Sequence, residues 1–266
     1  MSDGGQPTAA MLVIGDEILS GRTRDANAHH LAQVMTEIGV DLREIRVVPD
    51  VTERIVSAVR ELSSGYDLVF TSGGIGPTHD DITADAVGAA FGRAVDVRAD
   101  TLAILHDHYG SEEISDARLR MARVPEGSTL IDNPVSRAPG FIVENVHVMA
   151  GVPLIFEAML AGLRSTLKGG PPTLSWSLKA MLPESALAAD LDALNRAFPT
   201  VSVGCYPFFK AMPGEAGEGK GRIGANIVLR ATDPVTLASA ADDARATLHG
   251  RGVEVEETPP ESAARA

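Results

Sequence analysis

This 266-residue sequence predicts an α/β protein: a three-layer, mostly parallel sheet followed by a second, smaller ferredoxin-like α+β domain. Three observations carry that prediction. Apolar runs at residues 10–14, 42–48 and 67–71 alternate with segments of helical periodicity, which implies parallel pairing through right-handed crossovers. Lys168, Gly169, Gly170, Pro171 and Pro172 form a clear linker. Beyond it the elements follow a βαββαβ order. The expected domains are residues 8–168 and 173–257, with 1–7 and 258–266 disordered.

The run at 10–14 is continuous and ends at Gly15, the pattern of a strand buried on both faces. Asp25 then caps a helix with apolar positions at Ala28, Leu31, Ala32, Met35 and Ile38, closed by Gly39. The strand at 42–48 ends at Pro49 and Asp50, and Thr52 caps a helix packing through Ile55, Val56, Val59 and Leu62. The third strand runs into the stretch 71–85, and a further helix spans 82–91. Residues 98–123 read as two or three short helices in a peripheral insertion. Its His106 and His108 fall on different helix faces, and adjacent His29 and His30 diverge, so both pairs read as surface or packing residues rather than metal ligands.

Short strands follow at 129–131, 141–143 and 146–149. The irregular loop 133–140 offers Arg137 as a phosphate reader, or is only a tight crossover. Gly151, Val152 and Pro153 open a helix reaching about residue 167. In the second domain the strands are 173–181, 200–206, 223–231 and 253–256, with helices at 184–198 and 234–248. Asp233 and Pro234 start the second helix and Gly250 ends it. The glycine-rich stretch 207–222, with Lys210, Lys220 and Arg222, reads as a disordered hairpin loop or a basic flap.

A net charge of −13 argues against a nucleic-acid partner, whose affinity comes from neutralised phosphates. Cys205 is the sole cysteine, so no intramolecular disulfide or cysteine-rich zinc site can form, and its expected role is core filling in a reducing cytoplasm. The N-terminus lacks the basic and apolar regions of a signal peptide and every long apolar run is broken by charge, so no membrane contact is expected.

Ligands of open α/β sheets gather beyond the carboxyl ends of the strands. Here the first three strands lead to acidic residues: Asp16 and Glu17, then Asp50, then Asp80 and Asp81. Carboxylates gathered on one edge repel unless a cation or a shared proton relieves them, and a magnesium-type ion with oxygen ligands suits the set. Gly73, Gly74 and Gly76 let the backbone approach a ligand, Pro77 stiffens the turn, and free amides at a helix N-terminus suit phosphate. Thr78 and Asp81 also spell a capping box, so the stretch reads either as an anion or metal site or as a strand-to-helix turn.

Four motifs in order resemble one family: the segments 15–21, 71–83 and 124–127, and Asn133 and Pro134 followed by 138–141. The family is the molybdopterin-binding (MoCF biosynthesis) domain, in the version of competence/damage-inducible protein A and the N-terminal half of eukaryotic FAD synthetases. The resemblance covers about residues 10–167, and the second domain is similar to the small domain that follows in CinA-like chains. It implies a self-associating protein of the molybdopterin-binding domain fold, with a pocket for molybdopterin or a nucleotide. Its activity would be adenylylation of molybdopterin, hydrolysis of nucleotide pyrophosphates such as ADP-ribose or FAD with magnesium, manganese or cobalt, or binding alone. The amidase activity of full-length CinA is not expected.

By motif, Asp50 and Asp81 fall on acidic positions associated with catalysis, and Asp16, Glu17, Asp80 and Asp81 are the metal candidates. The ligand candidates are Thr71, Ser72, Gly73, Gly74, Gly76, Pro77, Thr78, Ser136, Arg137 and Gly151. Two departures stand out. Ile155 replaces a glutamate common in CinA-like chains, and Ser136 and Arg137 replace a Gly-Thr pair.

Overall fold

The apolar run becomes Thr8–Ile14 (β1), with every residue but Thr8 buried, and the first unit is built around it. The computed structural model describes residues 6–110, 114–211 and 221–260, and the chain divides into two units, Met1–Pro171 and Pro172–Ala266.

In chain order the first unit continues with Asp16–Leu19 (α1), Asn27–Glu37 (α2), Asp41–Val48 (β2), Thr52–Gly65 (α3), Leu68–Ser72 (β3) and Thr83–Phe91 (α4). Then come Val95–Val97 (β4), Ala99–Tyr109 (α5), Asp116–Arg120 (α6), Arg123–Pro125 (β5), Thr129–Ile131 (β6), Gly140–Val143 (β7), Val146–Met149 (β8) and Pro153–Leu163 (α7). The main sheet has the order β2-β1-β3-β8-β7-β6. Pairing is parallel from β2 through β8 and antiparallel for β7 and β6.

Alternation along β1 explains the three layers. Ala10, Leu12 and Ile14 pack with Ile55, Val59 and Leu62 of α3 and Val87 of α4. Ala9, Met11 and Val13 pack on the other face with Leu31 and Met35 of α2 and Phe156, Met159 and Leu160 of α7. Asp25 does accept the amide of Ala28 at 2.9 Å. Thr52, by contrast, is the first residue of α3 and makes no side-chain cap bond. The Thr78–Asp81 pairing of the capping-box reading forms, but not at a helix start: α4 begins at Thr83, and its cap residue Ile82 makes no side-chain cap bond. The β4–β5 ribbon escapes sequence reading because three-residue strands are too short to show alternation.

The second unit holds Leu174–Ala180 (β9), Glu184–Ala197 (α8), Ser202–Ala211 (β10), Gly221–Ala231 (β11), Pro234–Gly250 (α9) and Val255–Thr258 (β12). Its sheet, β10-β11-β9-β12, is antiparallel throughout, which is the ferredoxin-like order. Leu178, Ile227 and Leu229 pack with Leu187 and Leu194 of α8 and Leu237 and Leu248 of α9, and half-buried Cys205 lies against that core. Asp233 caps α9 by accepting the Thr236 amide at 2.8 Å. The helix runs through Gly250, however, and the positive φ falls on Gly252 (73°). Paired strand occupies 207–211 and 221–222 of the stretch read as a loop, and residues 212–220, with Lys220, lie outside the described residues. So do 1–5 and 261–266, whereas Gln6 and Pro7 bond to Pro171 and Asp41. Among the described residues no helix is long and apolar enough to cross a membrane.

His147 on β8 gives the first unit a pH dependence. Its ring stacks on Phe70 with centroids 4.9 Å apart. Nδ1 faces two acceptors, the carbonyls of Val69 (3.3 Å) and Asn145 (3.2 Å), so it carries the hydrogen and donates. Burial holds the imidazole pKa below the ordinary value. The unfolded chain binds a proton near pH 6.5 that the folded chain resists, so this stability is complete above about pH 6.5 and is lost as pH falls. Thermal melts between pH 8 and pH 5 are expected to show a decline that His147→Leu makes shallower; identical slopes would refute the assignment.

Candidate functional site

Parallel pairing brings three strand ends to one edge: Ile14 lies opposite Val48, and Val13 opposite Ser72. Past these ends come Gly15, Asp50 and Gly73. The Gly15 amide donates to Val48 (3.2 Å) and the Gly73 amide to Met149 (3.2 Å), tying the turns to the neighbouring strands. Beyond them opens a cleft of about 680 Å³.

The glycine loop forms one wall. Gly73 has φ 109°, and a Cβ there would lie 2.2 Å from the carbonyl oxygen of Ile14. Gly74 has φ 68°, and a Cβ would lie 2.1 Å from Thr83 Oγ1. Only glycine fits either position. Among the described residues, the amides of Gly74, Ile75 and Gly76 donate to no protein acceptor. Across the cleft stands the start of α7, Gly151 to Pro153, whose first turn has no side-chain cap. Pro153 has no N–H, and the Ile155 and Phe156 amides donate to the Val152 carbonyl. Among the described residues the donors left open on this side are therefore the amides of Gly151 and Val152, which share the cleft with the glycine-loop amides and favour an anion.

Asp50 is the distinctive acid. Its Oδ2 accepts the Asp16 amide at 2.9 Å. Burial pushes its pKa above the ordinary carboxylate value against the pull of that hydrogen bond, and the charges of Asp16, Glu17 and Asp80 push the same way. Asp81 is engaged differently. Its Oδ2 accepts both the amide (2.7 Å) and the hydroxyl of Thr78, closing the turn beside Gly76.

The divalent centre expected from Asp16, Glu17, Asp80 and Asp81 is not assembled. Among the described residues no three His, Cys, Asp or Glu side chains come together to hold an ion.

Of the residues singled out from sequence, Glu17, Asp50, Gly73, Gly74, Gly76, Pro77, Asp80, Asp81, Ser136 and Gly151 line the cleft. Asp16, Thr71, Ser72, Thr78 and Arg137 do not. Thr71 is fully buried in β3. Ser72 accepts a hydrogen bond from Asn27 at 2.6 Å. Arg137 sits in the left-handed region (φ 62°) and pairs with Asp132 at 3.6 Å.

The cation at the cleft is instead Arg118 of α6, its guanidinium 3.8 Å above the ring of Tyr109 of α5. The segment read as peripheral thus supplies Tyr109, Arg118 and Met121 to the wall. No sequence signal marks them, since α6 is a five-residue helix with charge throughout. Asn133, which the sequence offers only as part of a family motif, also lines the cleft. It is buried and holds the loop through Ser136 (2.7 Å) and the carbonyl of Ala138 (2.8 Å), placing Ser136 on the cleft. Ile155 contributes hydrocarbon to the wall.

Residues 10–168 match the family described as probable molybdopterin binding domain, and residues 172–257 match the middle domain of FAD synthase. A protein from Pyrobaculum calidifontis is 36% identical over 212 residues, covering 76% of this chain and 81% of its own. A CinA-like protein from Myxococcus xanthus is 31% identical over 209 residues, 73% of this chain and 50% of that longer protein. Among solved structures, CinA of unknown function from Thermoplasma acidophilum superposes with a TM-score of 0.58 at 34% identity, covering 60% of this chain and 97% of its own.

Proposed function

The chain belongs to the molybdopterin-binding domain family, in CinA-like form, and on that premise we propose that its cleft binds a nucleotide pyrophosphate of the ADP-ribose or FAD type and hydrolyses it. The observation that carries this reading is the placement of half-buried Asp50 in the same cleft as the open amides of Gly74, Ile75 and Gly76 and those of Gly151 and Val152. The amides of Gly74 to Gly76 and of Gly151 and Val152 suit phosphate oxygens, and Arg118 adds a full positive charge beside the acidic wall.

In the reaction, a water oxygen bonds to phosphorus, the bridging P–O bond breaks, and Asp50 takes the water's proton. AMP leaves together with ribose 5-phosphate or FMN. Charge developing on the phosphoryl oxygens falls on donors already oriented by the loop. A second reading, binding of a nucleotide or pterin phosphate without turnover, is favoured by Ile155, which leaves one wall without an acid.

Incubation with ADP-ribose or FAD, with and without magnesium, manganese or cobalt, separates the two. Release of AMP supports hydrolysis. Saturable binding without AMP under every condition leaves the binding module, and no binding of either compound overturns both for nucleotides.

A further inference from the structure

Asn27, the first residue of α2, is 3% exposed. Its Nδ2 donates to Ser72 Oγ at 2.6 Å and to the carbonyl of Gly151 at 2.8 Å. These bonds decide which way the amide faces. The Gly151 carbonyl can only accept, so a flipped amide would set oxygen against oxygen. Oδ1 therefore points away from both partners, and there it is buried with no hydrogen-bond partner. A buried orphan acceptor is costly and calls for a donor from outside the fold.

Asn27 lines a crevice of about 50 Å³ together with Ile14, Glu17, Asp25 and Ser72. The crevice adjoins the main cleft and shares Ile14, Glu17, Thr23, Gly151 and Pro153 with it. Its size selects its occupant: the space holds one small polar group, on the scale of the ~30 Å³ that a water molecule occupies, and is far too small for an aromatic ring. Its chemistry selects too. Oδ1 can only accept, and Glu17 and Asp25, which also line the crevice, bring further acceptors, one oxygen of Asp25 already taking the Ala28 amide.

We infer that Asn27 is a specificity-determining residue: its Oδ1 accepts an N–H from the exocyclic amino group of the bound base, while the ring and phosphates stay in the main cleft. The inference rests on the nucleotide reading of that cleft. A base bearing a carbonyl at that position sets an acceptor against Oδ1 and is rejected, because the site's acceptor is then left unpaired.

The test compares ADP-ribose with its hypoxanthine counterpart, in which an oxo group replaces the amino group, by calorimetry on the full chain. Affinity for ADP-ribose is expected to be about tenfold or more the higher. In Asn27→Leu, which keeps the bulk and removes the acceptor, the ratio is expected to fall towards one. If Asn27→Leu does not fold, the wild-type ratio decides alone. Equal affinity of the wild type for the two compounds means that water satisfies Oδ1, which overturns this inference and leaves the binding reading standing. A ratio retained in a folded Asn27→Leu chain also overturns it. Failure of both compounds to bind removes the nucleotide reading together with the inference.

Discussion

Asp50→Asn is expected to lower AMP release by about 100-fold or more while the melting temperature stays level or rises. A positioned general base typically contributes roughly 10²–10⁴-fold, and asparagine cannot take a proton. The fold keeps its bond, because asparagine Oδ1 can still accept the Asp16 amide that Asp50 now accepts at 2.9 Å. The direction of the stability effect follows from linkage. Burial raises the folded pKa of Asp50 above its unfolded value, so its contribution is complete below the unfolded pKa and is lost as pH rises through the folded one. At neutral pH the ionised carboxylate is a cost that the amide removes. Wild-type turnover, for the same reason, rises with pH along a limb displaced above the ordinary carboxylate range of about 3.9. Parallel loss of activity and melting temperature would make Asp50 a structural residue, and unchanged activity would remove it from the reaction.

Gly73→Ala carries the other large effect, a destabilisation of about 2–4 kcal/mol together with loss of ligand binding. The methyl would sit 2.2 Å from the Ile14 carbonyl oxygen, an atom of β1 that cannot give way without disturbing the sheet. It would also occupy φ 109°, which L residues rarely adopt. Gly92→Ala separates the two causes. Gly92 has φ 66° with nothing within 4 Å of a built Cβ, so that change is expected to cost only about 1 kcal/mol. Urea titrations should show a lower midpoint at constant slope for both, with the larger shift for Gly73→Ala. Similar shifts would mean that crowding against Ile14 is not what requires glycine in the loop.

The parts of the site that were legible in the sequence are those that depend on local chemistry. Three glycines after a strand mark a close backbone approach, and Gly73 and Gly74 are positions where a Cβ collides. Acids after parallel strands mark a sheet edge, and Glu17, Asp50, Asp80 and Asp81 all line the cleft there. Their division of labour was not legible. Asp50 and Asp81 look alike as residue types, yet burial raises the pKa of Asp50, which bonds the Asp16 amide of another strand end, while Asp81 closes a local turn with Thr78.

Arg137 and Arg118 make the same point for the cation. Arg137 lies in a suggestive loop, but a left-handed backbone turns it to Asp132. Arg118 lies on a short polar helix without a motif and reaches the cleft because Leu105, Ala122 and Ala138 form a small core between α5, α6 and the loop leading to β7.

By itself the sequence determined the strand–helix alternation, the two-domain order, the sheet edge bearing the glycine loop, and the family. All of these are written in periodicity and in short-range residue chemistry. Only the tertiary structure decided which acid has its pKa raised by burial, which arginine lines the cleft, and that Asn27 is left with a buried oxygen without a partner. Those properties belong to contacts between residues far apart in the chain, Asn27 with Gly151 and Asp50 with Asp16 among them, and such contacts exist only once the sheet has brought its strand ends together.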